Sequence, residues 1–172
     1  SNGWQYIGSK WYYFEKNGLM KRGWLEKDKN WYYLKPSGAM AKGWLQSGNN
    51  WYYMKASGAM VSNGWQYIGS KWYYFEKNGL MKRGWLEKDE NWYYLKPSGA
   101  MVSSDWQKSG SNWYYMKSSG VMATNEWVKI GYAWYWVDPK GIMVTGTQTI
   151  DGKTHKFYRN GVWQDQIGRA HV

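Results

Sequence analysis

The chain has 172 residues, enough for one ordinary domain, and no cysteine, which excludes disulfides and thiolate chemistry. A mean hydropathy of −0.82 suggests disorder, but 16 Trp and 17 Tyr against 3 Phe argue for a folded chain whose aromatics face both apolar and wet surroundings. The net charge of +11 points to a polyanionic surface or polymer as partner, and part of it serves the solubility of an aromatic-rich surface.

The first element begins at once, as Gly3-Trp4-Gln5-Tyr6-Ile7-Gly8-Ser9-Lys10-Trp11-Tyr12-Tyr13, and closes with Gly18-Leu19-Met20. The same phrase returns seven times, led by Trp4, Trp24, Trp44, Trp65, Trp85, Trp106 and Trp127, 20 or 21 residues apart. A fixed period this short predicts a stack of small units rather than one globular core. Residues 1–145 hold the seven repeats, 146–163 a degenerate capping repeat and 164–172 a tail or linker. Residues 1–40 and 62–101 are identical except for Lys29 against Glu90, at a turn tip. The chain opens inside a repeat, with no signal peptide, lipidation motif or long apolar run, and so reads as a fragment of something longer.

Each unit predicts a β-hairpin, because aromatic runs between glycines favour strand and no helical period is sustained. The two-residue turns are Gly8-Ser9, Asp28-Lys29, Gly48-Asn49, Gly69-Ser70, Asp89-Glu90, Gly110-Ser111 and Gly131-Tyr132. A leading glycine suits type II′, which the two Asp-led copies fit less well. In this register Trp4 pairs with Tyr13, Gln5 with Tyr12, Tyr6 with Trp11 and Ile7 with Lys10. Alternation then puts Trp4, Tyr6, Trp11 and Tyr13 on one face, with Ile7, Tyr12 and Phe14 on the other. The Phe14 position stays apolar throughout (Phe14, Leu34, Met54, Phe75, Leu95, Met116, Val137) and is the expected buried contact.

Two indoles and a phenol on the other face form a cation cage. Aromatic faces attract weakly hydrated cations, quaternary ammonium best of all. The opposing reading is that these rings merely pack hairpin on hairpin, yet one core needs only one aromatic face. The methionines of Gly-x-Met serve either as core filler or as a soft floor beside the rings.

The pattern Gly-Trp-x6-Trp-Tyr-Tyr-x4-Gly-x-Met closely resembles the choline-binding repeats of pneumococcal-type surface proteins and murein hydrolases. The resemblance covers residues 3–143. It implies an all-β fold, a left-handed β-hairpin solenoid, with choline held between consecutive units by two Trp of one unit, a Tyr of the next and a nearby Met. Carried over, the first site uses Trp4, Trp11, Tyr33 and Met20 or Met40. The second uses Trp24, Trp31 and Tyr53; the third, Trp44, Trp51 and Tyr74; the fourth, Trp65, Trp72 and Tyr94; the fifth, Trp85, Trp92 and Tyr115. A sixth, from Trp106 and Trp113, has Trp136 as its wall. Met60, Met81, Met101 and Met122 are the further floor residues. The face assignment favours the second Tyr of each pair, with the first as the alternative. Near the seventh pair, Trp127 and Trp134, stand His155, Lys156 and Phe157, and a lysine is a poor wall for a cation, so at most six intact cages are expected. The ligand implied is choline or phosphocholine, without cofactor or metal, and the partners are choline-bearing teichoic and lipoteichoic acids at a bacterial cell surface. Lys10, Lys16, Lys21, Arg22, Lys35 and Lys42 could reach the polymer phosphates, though for any single one of them a solvated rim is the favoured reading.

An enzyme is disfavoured. Glu15/Glu76, Glu26/Glu87 and Asp28/Asp89 are duplicates, whereas catalytic groups should be singular. Asp105, Glu126, Asp138, Asp151 and Asp165 show no paired motif, and His155 and His171 have no nucleophile or ligand partner in sequence. A hydrolase domain could lie beyond either end. Glucan-binding repeats, with a related aromatic hairpin, are the alternative; the paired tryptophans and regular Gly-x-Met favour choline. A single-strand nucleic-acid binder would share the charge and the stacking rings but leaves the strict hairpin period unexplained.

Overall fold

The computed structural model describes residues 2–164, and the expected tail lies, from Asp165 onward, outside them. The described chain is all-β. Eight antiparallel two-stranded hairpins follow one another: Gly3–Ile7 with Lys10–Phe14, Gly23–Lys27 with Asn30–Leu34, Gly43–Ser47 with Asn50–Met54, Gly64–Ile68 with Lys71–Phe75, Gly84–Lys88 with Asn91–Leu95, Asp105–Ser109 with Asn112–Met116, Glu126–Ile130 with Ala133–Val137, and Gly146–Ile150 with Lys153–Phe157. The register is the expected one, Trp4 opposite Tyr13 and Tyr6 opposite Trp11, and it recurs at every copy.

The turn tips divide in two. At Gly48-Asn49, Gly110-Ser111 and Gly131-Tyr132 the glycine alone has positive φ, at 63°, 63° and 61°, as type II′ requires. At Asp28-Lys29 and Asp89-Glu90 both residues are positive, 51° and 67°, which is the type I′ pattern. Asp tolerates the left-handed helical region that type I′ asks of its first residue, whereas type II′ puts that residue where only glycine is comfortable. Gly8-Ser9 and Gly69-Ser70 depart from the type II′ expectation and are also type I′, with Ser9 at 68° and Ser70 at 69°. Lys29 and Glu90 share one exposed backbone geometry, so their exchange leaves the turn unchanged.

The chain divides into two compact units, Ser1–Lys82 and the residues from Arg83 on, with four hairpins in each. Inside each unit the hairpins are joined by one repeated backbone bond. In the first, the Met40, Met60 and Met81 N–H groups donate to the carbonyls of Trp11, Trp31 and Trp51, at 2.8, 2.8 and 2.9 Å. In the second, Met122, Met143 and Trp163 donate to Trp92, Trp113 and Trp134, each at 2.8 Å. The same methionines bridge the last residue of their own hairpin, as in Met54 with Met60. Within each unit Gly-x-Met is thus a stub of third strand that fastens a hairpin to the one before it.

Leu34, Met54 and Phe75 in the first unit and Leu95, Met116 and Val137 in the second have no accessible surface, so the Phe14 position is the buried one. Around Phe75 pack Val61 and Met81, with Trp51 and Tyr53 from the preceding hairpin. The Trp face of one hairpin therefore lies on the opposite face of the next.

Candidate aromatic cages

The leading and second tryptophans of a hairpin meet nearly at right angles. The Trp24 and Trp31 rings are 6.4 Å apart at 79°, Trp44 and Trp51 6.3 Å at 80°, and Trp85 and Trp92 6.2 Å at 83°. They sit on opposite strands of one face, at diagonal positions, so the two indoles form a corner. The next hairpin supplies the third wall. Tyr52 approaches Trp24 to 4.9 Å at 68°, and Tyr32, Tyr73, Tyr114 and Tyr135 stand likewise 5.0, 4.8, 5.0 and 5.1 Å from Trp4, Trp44, Trp85 and Trp106.

Three of these corners enclose open cavities of similar size. One of about 360 Å³ is lined by Trp24, Trp31, Tyr52 and Met60; one of about 270 Å³ by Trp85, Trp92, Tyr114 and Met122; and one of about 310 Å³ by Trp106, Trp113, Tyr135 and Met143. The shared lining of two indoles, one phenol and a thioether suits a small, apolar cation. The second tryptophan stays accessible, Trp31 at 41% and Trp92 at 39%, so a ligand enters from solvent beside it.

Within each unit the structure brings the first tyrosine of a pair to the preceding Trp corner, not the favoured second. Tyr33, Tyr53, Tyr74, Tyr94 and Tyr115 instead pack edge-to-face, at 5.1–5.2 Å, on the leading Trp of their own hairpins, Trp24, Trp44, Trp65, Trp85 and Trp106. The reason is the face-to-back stacking: a hairpin covers its predecessor with the face opposite its own tryptophans, and that face carries the first tyrosine. Trp136 follows the same rule and packs on Trp127 at 5.3 Å, leaving Tyr135 as the wall beside Trp106. The fourth set, Trp65, Trp72 and Tyr94, draws on both units and stays an expectation.

Within each unit the floor methionine comes from the hairpin that follows the Trp pair. Met40 is tied to Trp11 and Met81 to Trp51, while Met20 lies against Gly38. Met143, outside the expected floor residues, lines the sixth cavity. A seventh aromatic enclosure, of about 340 Å³, stands where the cages were expected to stop. Its walls are Trp127 and Trp134, 6.3 Å apart, with His155 5.4 Å from Trp127 in the tyrosine place and Trp163 in the methionine place. Lys156 faces the other way, opposite Thr147 in the register.

The position that pairs with the second tryptophan varies and does not line the cavities. It is Tyr6, Glu26, Gln46, Tyr67, Glu87, Lys108 and Lys129 in turn. Tyr6 and Tyr67 stack on Trp11 and Trp72 at 5.0 and 5.1 Å. Lys108 and Lys129 place their ammonium groups 5.8 and 5.6 Å from the Trp113 and Trp134 ring centres. These two lysines occupy indole faces with a cation of the protein's own.

Comparison with known proteins supports the same grouping. A family model for the choline-binding repeat matches residues 1–41, 28–65 and 63–106, and one for a cell wall binding repeat matches 104–122 and 125–143. No curated protein sequence matches the chain. Among solved structures, CbpJ of Streptococcus pneumoniae is similar, at 39% identity over 95% of this chain and 58% of that one, with a TM-score of 0.82. Choline binding protein F of the same organism gives 36% identity, 95% and 57% coverage, and 0.80. The choline-binding domain of its CbpL gives 32% identity and 0.66, over 95% of this chain and 97% of that domain. The chain thus spans 57–58% of the first two proteins and nearly the whole of the third. By its repeats, its hairpin fold and these matches, the chain belongs to the choline-binding repeat family.

Proposed function

We propose that this chain is a non-catalytic anchoring module that binds the choline of phosphocholine-decorated teichoic and lipoteichoic acids, within a larger secreted cell-wall hydrolase or surface adhesin. The observation that carries the reading is the recurrence of one wall set, two indoles, one phenol and one thioether, around three cavities of similar volume. The match to almost all of a solved choline-binding domain supports it.

The energetics fit a polymer. Each ring contributes about 0.5–2 kcal/mol to a quaternary ammonium, depending on how dry the contact is. Three walls give a few kcal/mol, hence roughly millimolar affinity per cage. Several cages on one chain raise avidity by ~10²–10⁴ when the target presents repeated choline. The net charge of +11 suits a polymer that also carries phosphates.

Near-ultraviolet circular dichroism titrated with choline chloride, against sodium chloride at equal ionic strength, tests the reading. Choline is expected to change the Tyr and Trp bands with a millimolar midpoint. Trp31→Ala is expected to remove one cage's share of that change. Identical responses to the two salts would overturn the proposal.

A further inference from the structure

Three of the cages have a rim that belongs neither to the Trp pair nor to the hairpin that supplies the tyrosine. Lys77 and Asn78 line the Trp24/Trp31 cavity, Lys140 the Trp85/Trp92 cavity, and Arg159 with Asn160 the Trp106/Trp113 cavity. All of them lie in the turn that follows a hairpin, just before its glycine: Gly79, Gly141 or Gly161. That glycine explains why the turn reaches so far. The Met60 thioether lies where a Cβ on Gly79 would stand, and Met122 and Met143 do the same at Gly141 and Gly161. Without a side chain there, the turn settles onto the methionine that floors the cage and lays its preceding residues across the mouth.

The rim charges are free to act. Lys77, Lys140 and Arg159 are exposed and take part in no salt bridge among the described residues, where the pair is Lys117 with Glu126. Asn78 and Asn160 accept the Leu80 and Val162 N–H groups at Oδ1, both at 3.1 Å, which leaves their amide N–H groups to donate elsewhere. At Gly58, where the corresponding turn rests on Met40, the residues before the glycine are Ala56 and Ser57, with no charge.

A protein cation at the mouth of a cation cage opposes the ligand unless the ligand carries an anion beside its ammonium. We infer that these three rims are phosphate subsites, so that their cages take phosphocholine as a zwitterion. The trimethylammonium sits among the rings and the phosphate oxygens accept from Lys77 and Asn78, from Lys140, or from Arg159 and Asn160. Arg159 can hold two phosphate oxygens at once, which Lys cannot do with the same geometry. The Trp4/Trp11 pair, with Tyr32 beside Trp4 and the Met40 N–H on the Trp11 carbonyl, has no charged rim and is expected to read choline alone. This inference rests on the choline reading above and adds the chemistry that tells a phosphate ester from free choline.

Indole N–H resonances report each cage separately during titration with phosphocholine or choline chloride at matched ionic strength. The Trp24/Trp31 signals are expected to respond to phosphocholine at about two- to fivefold lower concentration than to choline, the size of an exposed ion pair. The Trp4/Trp11 signals are expected to show no such preference. Lys77→Ala should remove the preference at Trp24/Trp31 and leave it at Trp106/Trp113, where Arg159→Ser should remove it. Ala56→Lys should create it at Trp4/Trp11. These are exposed turn positions, and the unaffected indole signals report that each variant is folded. An unchanged ratio in Lys77→Ala, or equal preference at every cage, would overturn the inference while leaving the choline reading intact. Silence of all indoles toward both ligands would instead sink the choline reading. Co-sedimentation with phosphatidylcholine vesicles, with no response to soluble phosphocholine, would also overturn the inference, by making the ligand a lipid surface.

Discussion

The ring of Tyr52 stands 4.9 Å from Trp24 in the hairpin before it, while Tyr53, the next residue in the strand, packs edge-to-face at 5.1 Å on Trp44 in its own hairpin. The pair thus has divided duties. Tyr52 closes one cage, and Tyr53 props the indole that opens the next. Tyr52→Ala is expected to weaken choline at the Trp24/Trp31 cage by up to about tenfold, the loss of one cation–π wall, with little change elsewhere. Tyr53→Ala removes packing around Val61, Phe75 and Met81 and is expected to cost about 3 kcal/mol of stability. Its Trp24/Trp31 signals should still titrate normally. Indole-resolved titration with thermal melts checks both, and the reverse pattern would restore the second tyrosine as the wall.

The contrast between Tyr52 and Tyr53 also shows how far the sequence could be read. Alternation along a strand fixes which side chains share a face, so the register and the buried Phe75 position were legible from spacing alone. Alternation says nothing of which face the next hairpin turns toward the Trp corner. That is decided by burying the Phe75 position under the preceding Trp face, as in the 5.9 Å approach of Trp44 to Phe75, and it carries the first tyrosine in as wall. His155 was hidden by the same gap, since a second-tyrosine reading put Lys156 in its place. Rim residues such as Lys77 lie two repeats beyond their cage, a distance that a twenty-residue period does not announce. The glycine of Gly-x-Met was the available clue, because a methionine recurring beside a glycine with φ near +87° at Gly79 marks a close approach.

Lys108 should handicap the cage it flanks. Its ammonium lies 5.8 Å from the Trp113 ring centre, on an indole that also walls the Trp106/Trp113 cavity. A cation on one side of the ring repels a cation on the other, and Lys108 is exposed, so the effect is small. Lys108→Gln is expected to tighten choline at this cage about twofold, roughly 0.5 kcal/mol. Glu26 pairs with Trp31 in the register, and Glu26→Lys should weaken its cage by a similar factor. Raising salt should shrink both differences. Titration of the Trp106/Trp113 and Trp24/Trp31 signals at two ionic strengths decides it, and no change in Lys108→Gln would show that the flanking charge is fully screened.

Gly79→Ala tests the link between turn and cage. Its φ of +87° disfavours any Cβ, at a cost of about 1–2 kcal/mol, and the added methyl would displace the Met60 thioether. The cavity floor then shifts and the Lys77–Asn78 rim lifts from the mouth. Expected results are a lower melting temperature and weaker choline at Trp24/Trp31, with the cages of the second unit unaffected. Lys77→Ala, by contrast, should leave choline binding at this cage no weaker and change only its phosphate preference. If Gly79→Ala lowers stability yet leaves the Trp24/Trp31 titration as it was, the floor methionine does not help form the site.

The seventh enclosure should respond to the identity of two residues. His155 stands where the others have a tyrosine and Trp163 where they have a methionine, with Asp151 and Lys153 also lining the cavity. The imidazole offers a smaller ring face than a phenol, and Trp163 fills space that a thioether would leave to a ligand. Asp151 and Lys153 add one charge of each sign to the wall, so ring identity and filled space decide the comparison. Choline is therefore expected to bind here more weakly than at Trp106/Trp113, which also carries a flanking lysine and is the fair comparison. The double change His155→Tyr with Trp163→Met rebuilds the shared wall set while keeping the backbone bond from residue 163 to Trp134. Its Trp127 and Trp134 signals are expected to titrate within about twofold of the Trp106/Trp113 midpoint, because the same walls give the same cation–π sum. If the rebuilt enclosure stays as weak as the original, Lys153 rather than ring identity limits it, and Lys153→Ala in the same background should then restore binding.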